Sequence, residues 1–177
     1  VFRKDNWMMY KHVNKKFAQV LLAELKEVEQ PIVLIQDYHF ALLPQMIKEV
    51  RPDAEVGIFW HVPWPSPEAF SVCPWRKEIL KGMLGADIVG FNTQQFCNNF
   101  IDTIGKEVES LIDLETFSIT REEHTTHIKS FPISIAFSSG TETEVEQTES
   151  NDLGLSILKK LGIQTKYLGV GVDRLDY

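Results

Sequence analysis

The sequence predicts an α/β fold, a Rossmann-like lobe built on a parallel sheet, and three observations predict it. Short apolar runs at Ile32–Ile35, Val56–Trp60 and Ile88–Phe91 have the length and the β-branched or aromatic character of buried parallel strands. Segments with helical apolar spacing separate them, and such alternation calls for a parallel sheet covered on both faces. Polar residues follow the strands directly, where an open parallel sheet collects its ligands.

Each element has its own warrant. Between His12 and Val28 the residues Val13, Phe17, Val20, Leu21, Leu25 and Val28 recur at helical spacing, predicting an amphipathic helix that Gln30-Pro31 stops. Leu42 to Val50 reads as a helix, with Pro44 tolerable in its first turn, and Arg51-Pro52-Asp53 ends it. Ser66-Pro67-Glu68 is a helix start: a hydroxyl cap, a proline at the first helical position, an acid near the positive end of the dipole. Trp75 to Leu84 is helical up to Gly85, and Thr93 caps a helix carrying Phe96, Phe100, Ile101 and Ile104 on one side. Glu107 to Ile119 is less periodic, and Thr125–Ile133 alternates like an edge or returning strand. Ser138 to Asp152 is acidic and free of Lys and Arg, a solvated segment that divides the chain. A short helix at Leu155–Leu161 and a strand at Tyr167–Val172 then open a further unit. The expected organisation is a lobe over 1–137, a linker over 138–152 and the start of a second lobe over 153–177.

Composition narrows the function classes. The chain has 177 residues, 44% hydrophobic and 24% charged, with a formal net charge of -7 and no basic block, which disfavours a nucleic-acid groove. Cys73 and Cys97 lack the spacing of a zinc knuckle or a disulfide framework, so free thiols in a reducing cytoplasm are the expectation. No segment approaches the roughly 18 apolar residues of a membrane span. There is no initiator Met, and both ends read as cut from something longer.

Three strand ends carry chemistry. Ile32–Ile35 delivers Asp37, Tyr38 and His39; Val56–Trp60 delivers His61; Tyr167–Val172 delivers Asp173, Arg174 and Asp176. One polar strand end can simply cap a loop, but three in one sheet system point to a shared site. After His61, Pro63, Pro65 and Pro67 make a rigid, extended loop that serves a binding site or a structural turn equally well. Glu122, Glu123, His124 and His127 invite a metal reading, although His-x-x-His in a polar stretch is usually surface. Gly82 and Gly85 do not form a dinucleotide loop, and there is no phosphate loop and no nucleophile elbow.

The blocks "IQDYHFALLPQMI", "GIFWHVPWPSPEAF", "PWRKEILKGMLGADIVGFNTQQFCNNF" and "GVDRLDY" resemble the trehalose-6-phosphate synthase family from about Trp7 onward. The resemblance implies a retaining glycosyltransferase with two Rossmann-like lobes, the GT-B architecture. It implies transfer of glucose from UDP-glucose to glucose 6-phosphate, with no metal or other cofactor in the chemistry. By the same likeness Asp37 holds acceptor hydroxyls, with Tyr38 beside it, and His61 lies near the transferred glucose. Arg174 clamps the donor diphosphate, and Trp7 and Tyr10 wall the acceptor pocket. The implied partners are these small molecules, in the cytoplasm, with neither nucleic acid nor membrane; a homo-oligomer stays open. A lysine of the family pattern lies beyond "RLDY", so the piece by itself is expected to be inactive. Ser134 and Ala136 in "FPISIAF" stand where the family has Gly and Asp, which puts the hinge there in question. Two other readings stay open: a related transferase with another acceptor such as glycerol 3-phosphate, and a non-catalytic homologue that binds the sugar phosphate.

Overall fold

The computed structural model describes residues 2–134 together with 159, 160 and 162. The chain divides into two compact units, Val1–Ser134 and Ile135–Tyr177. The acidic segment, the Tyr167–Val172 strand, Ala136, Asp173, Arg174 and Asp176 lie outside the described residues.

The first unit follows the predicted alternation. Helix α1 (Lys4–Glu24) leads into β1 (Ile32–Gln36), a 3-10 turn at Tyr38–Phe40 and α2 (Leu43–Lys48). Strand β2 (Glu55–Trp60) precedes α3 (Pro67–Phe70) and α4 (Arg76–Met83), and β3 (Ile88–Phe91) precedes α5 (Gln94–Glu107). Three more strands close the sheet: β4 (Leu111–Asp113), β5 (Ser118–Arg121) and β6 (His124–Ser130). The expected caps are in place, Ser66 Oγ accepting from Ala69 N–H and Thr93 Oγ1 from Phe96 N–H.

The sheet order is β1-β2-β3-β6-β5-β4. Strands β1, β2, β3 and β6 are parallel, whereas β5 runs antiparallel to both β6 and β4. The Thr125–Ile133 segment is therefore not an edge: β6 lies inside the sheet, between β3 and β5. Strands β4 and β5, at three and four residues, are too short to print a period on the sequence.

One face of the sheet carries the core. Val33, Ile35, Val56, Ile58, Val89, Phe91 and Ile128 are buried with Leu43, Ile47, Leu80, Met83, Phe100 and Ile104 of the helices. On the opposite face Ile32 and Leu34 are 71% and 77% exposed, and Leu34, Gly57, Phe59, Ile88, Gly90 and Phe131 line an open apolar groove. The expectation of two covered faces thus holds for one face among the described residues. The strands are apolar on both sides, which is why their runs look continuous.

Helix α1 departs further from expectation. It starts eight positions before His12, and of the predicted stripe Val13, Phe17, Val20 and Val28 are exposed while Leu21 and Leu25 are half-buried. The neighbouring face is turned inward instead: Trp7, Asn14 and Ala18 are buried, with Tyr10, Leu21 and Leu25 half-buried behind them. Both faces satisfy helical spacing, and the polar bonds of Asn14 decide between them. Gly82 has a packing role: a Cβ there would stand 2.5 Å from the carbonyl oxygen of Ala41, so only glycine lets α4 approach the turn after β1 this closely.

Candidate functional site

Parallel pairing aligns the carboxyl ends of β1, β2 and β3, with Gln36 opposite Phe59 and Trp60 opposite Phe91. The first residues past these pairs are Asp37, His61 and Asn92, and hydrogen bonds join them into one cluster. Asp37 N–H donates to Phe59 O at 2.7 Å, extending the ladder past the strand. His61 N–H donates to Asp37 Oδ1 at 3.3 Å, and Asn92 Nδ2 donates to His61 O at 2.9 Å. The imidazole Nε2 of His61 lies 2.8 Å from Gln36 Oε1, and its ring meets Phe59 edge-on at 4.6 Å.

Asp37 is held in a costly conformation. Its φ of 65° with ψ of 179° lies in a region that glycine alone adopts freely, and a side chain there costs about 1–3 kcal/mol. The carboxylate offsets part of this by accepting Tyr38 N–H at 2.9 Å through Oδ1. Its Oδ2 has no partner among the described residues, so a half-buried carboxylate oxygen is left at the strand tip. Such an oxygen can hold a ligand hydroxyl.

The turn that follows is clamped from α1. Tyr10 Oη donates to Tyr38 O at 2.6 Å and accepts Ala41 N–H at 2.9 Å, and burial holds the Tyr10 phenol above its ordinary pKa. Asn14, fully buried, donates through Nδ2 to Tyr10 O and His39 O and accepts Leu42 N–H at 3.3 Å. Trp7 stacks between Trp75 and Tyr10, with centroids at 5.1 and 5.2 Å. Trp7 and Tyr10 therefore stand behind the turn, the hydroxyl of Tyr10 being spent on backbone. Tyr38 and His39 stack on each other at 4.1 Å, and Tyr38 is 46% exposed.

The loop after β2 is anchored by Trp64, which is 1% exposed. Its Nε1 donates to Thr103 Oγ1 at 3.2 Å, its carbonyl accepts Asn99 Nδ2 at 3.0 Å, and its ring packs against Trp60, Phe70, Phe91 and Phe100. Prolines stiffen the chain on either side of that plug.

Elsewhere the candidates disperse. His124 and His127 lie on opposite faces of β6 by strand alternation, His124 Nε2 meets Ala86 O at 3.0 Å, and no metal-binding group of three converges among the described residues. A cleft of about 770 Å³ lies at the amino ends of the strands, lined by Gln45, Lys48, Lys81, Arg121 and His124, away from Asp37 and His61. Its cations are largely engaged: Lys48 meets Asp87 at 2.9 Å, and Arg121 meets Glu122. The Cys97 thiol is buried, and burial pushes its pKa up to about 11, which leaves it a poor nucleophile.

The structure thus brings Asp37, Tyr38 and His61 to one sheet edge and leaves Arg174 outside the described residues. Sequence reasoning missed Gln36, Asn92 and Asn14. Asn92 carries the signal that marked Asp37 and His61, a polar residue directly after an apolar strand. Gln36, the first polar residue after Ile32–Ile35, carries it too, but its bond to His61 depends on how β1 and β2 pair.

Comparisons with known proteins bear on the family and the fold. The glycosyltransferase family 20 model matches residues 1–177. The UDP-forming α,α-trehalose-phosphate synthase A of Dictyostelium discoideum is 34% identical over 97% of the chain, which spans 22% of that protein. The N-terminal domain of Candida albicans trehalose-6-phosphate phosphatase is 35% identical, with a TM-score of 0.61 over 70% of this chain and 26% of that one. The E. coli trehalose-6-phosphate protein bound with UDP-2-fluoro glucose gives a TM-score of 0.70 at 26% identity, over 77% of this chain and 30% of that one. Among the described residues no helix is long and apolar enough to cross a membrane. With the family's motifs, its fold and a match along the full chain all in hand, the protein belongs to glycosyltransferase family 20.

Proposed function

We propose that the full-length protein is a UDP-forming α,α-trehalose-phosphate synthase that moves glucose from UDP-glucose to glucose 6-phosphate in the cytoplasm. The observation that carries the reading is Asp37, strained and half-buried, with one carboxylate oxygen unpartnered among the described residues, beside His61 at adjoining strand ends. A solved family relative bound with UDP-2-fluoro glucose supports the donor class. In this reading the Val1–Ser134 unit is the acceptor-side lobe. Asp37 and Tyr38 meet the acceptor, Trp7 and Tyr10 form the wall behind them, and His61 faces the transferred glucose. Arg174, at the start of the donor lobe, pairs with the diphosphate.

The chemistry follows from charge. As the bond from glucose C1 to the diphosphate breaks, negative charge grows on the leaving UDP, and a guanidinium stabilises it with paired hydrogen bonds. The acceptor hydroxyl attacks the same face of the sugar, and its proton passes to the leaving phosphate oxygen. This route has no need of the paired carboxylates of a glycosidase. Asp37 orients the hydroxyl, a contribution that positioning alone makes large.

The test is UDP release by the full-length protein, with glucose 6-phosphate and glycerol 3-phosphate compared as acceptors. Release with glucose 6-phosphate alone supports the proposal, and a preference for glycerol 3-phosphate replaces the acceptor. No release with either overturns the synthase reading. One observation favours a second reading, a non-catalytic sugar-phosphate binder: the chain is 35% identical to the N-terminal domain of a phosphatase, against 34% to a synthase. Saturable glucose 6-phosphate binding without UDP release would select it.

A further inference from the structure

Asp37 and Asn92 fix the main chain of His61, through its N–H and its carbonyl, and leave only the rotation of the imidazole free. That rotation is stopped from β1. Gln36 is the last residue of the strand and pairs opposite Phe59, so alternation puts its side chain on the same face as Phe59 and His61. Its Oε1 lies 2.8 Å from His61 Nε2, while the Phe59 ring flanks the imidazole at 4.6 Å. We propose that Gln36 is a positioning residue for glucosyl transfer, holding His61 through Nε2 so that Nδ1 is the ring nitrogen free for a sugar hydroxyl. The inference rests on the synthase reading above.

The chemistry of the two groups sets the polarity of the contact. A neutral imidazole has one donor nitrogen and one acceptor nitrogen, and the nitrogen bound to a carbonyl oxygen is the donor. Nε2 therefore carries the proton, and Nδ1, without a partner among the described residues, is the acceptor. A hydroxyl of the transferred sugar is a donor of matching kind. In this proposal Gln36 acts on the substrate through His61, so its loss misplaces a contact without removing one.

The experiment uses the full-length protein as wild type, Gln36→Leu and Gln36→Glu. Two readouts are needed: steady-state UDP release, and the imidazole N–H signal of His61 in a proton–nitrogen NMR spectrum, assigned by its disappearance in His61→Ala. Gln36→Leu is expected to lower kcat by about 10–100-fold with both KM values within about threefold, and to lose the N–H signal to solvent exchange. Gln36→Glu keeps an acceptor oxygen in reach, so it retains the signal and loses less than about fivefold in kcat. A Gln36→Leu protein that keeps wild-type turnover, or a wild-type spectrum without a hydrogen-bonded His61 N–H, overturns the proposal. Should wild type release no UDP, the synthase reading fails, and the spectrum still decides whether Gln36 holds the ring.

Discussion

The turn after β1 and the loop after β2 stand side by side at the sheet edge, and they are fixed in opposite ways. The Asp37–Leu42 turn carries backbone strain and is held by polar bonds from Tyr10 and Asn14. The His61–Ser66 loop has three prolines around it, no residue in the left-handed region and a buried indole as its anchor. A strained acid needs many directional bonds to stay in place, because each is worth only about 1 kcal/mol. A prolyl loop is already restricted before folding and needs one deep apolar contact.

The loop should therefore suffer most from a single change. Trp64→Ala removes the largest fully buried side chain and its bond to Thr103, and is expected to cost about 3–5 kcal/mol. Urea unfolding followed by far-UV circular dichroism measures it. A loss below about 1 kcal/mol would mean that the prolines alone hold the loop. The turn comes second. Asn14→Ala strands the buried N–H of Leu42 and the carbonyl of His39, for an expected loss of about 2–3 kcal/mol by the same measurement. Tyr10→Phe, which deletes two further backbone bonds, should add to it less than fully, since both side chains serve one turn.

How legible these two segments were differs for physical reasons. The strands feeding them were plain, because Ile32–Gln36, Glu55–Trp60 and Ile88–Phe91 are short apolar runs bounded by polar residues. The helix starts at Ser66 and Thr93 were plain too, since a cap is a local device. The clamp was not. Of the apolar stripe that the spacing predicts, Val13, Phe17 and Val20 are exposed, and Asn14 on the adjacent face is buried instead. Nothing local separates two adjacent faces of equal apolar spacing; the choice rests on partners 25 and 28 positions away. The role of Gln36 was hidden for the same reason, since its bond to His61 needs the register of two strands. The strain at Asp37 has no signature either, because the residue type it calls for is glycine.

That strain gives a smaller and cleaner comparison. Asp37→Ala and Asp37→Gly both delete the carboxylate and its bonds to Tyr38 and His61, so their difference isolates the backbone. The glycine protein is expected to be more stable than the alanine protein by about 1–2 kcal/mol, read from paired urea titrations. Both should be inactive in the full-length protein if the carboxylate holds the acceptor. Equal stabilities would show that the turn relaxes once the acid is gone, and that the clamp from α1 does not force the conformation.

The smallest effect tests whether the apolar anchor seals the helix behind it. Cys97 sits on α5 one turn before Phe100, which packs against Trp64, and it is fully buried. Its thiol titrates at about 11, up from 9.0, so the folded state holds the proton more tightly than the unfolded one. The resulting stability is complete below pH 9.0 and fades as pH rises toward 11. At pH 8 a thiol reagent should label half-buried Cys73 and leave Cys97 untouched. In Trp64→Ala, Cys97 should become reactive under the same conditions, while in Asn14→Ala it should stay protected, because the polar clamp lies on the other segment. Equal protection in both variants would mean that α5 is closed by its own packing, and that the loop and the turn differ in chemistry without differing in what they shield.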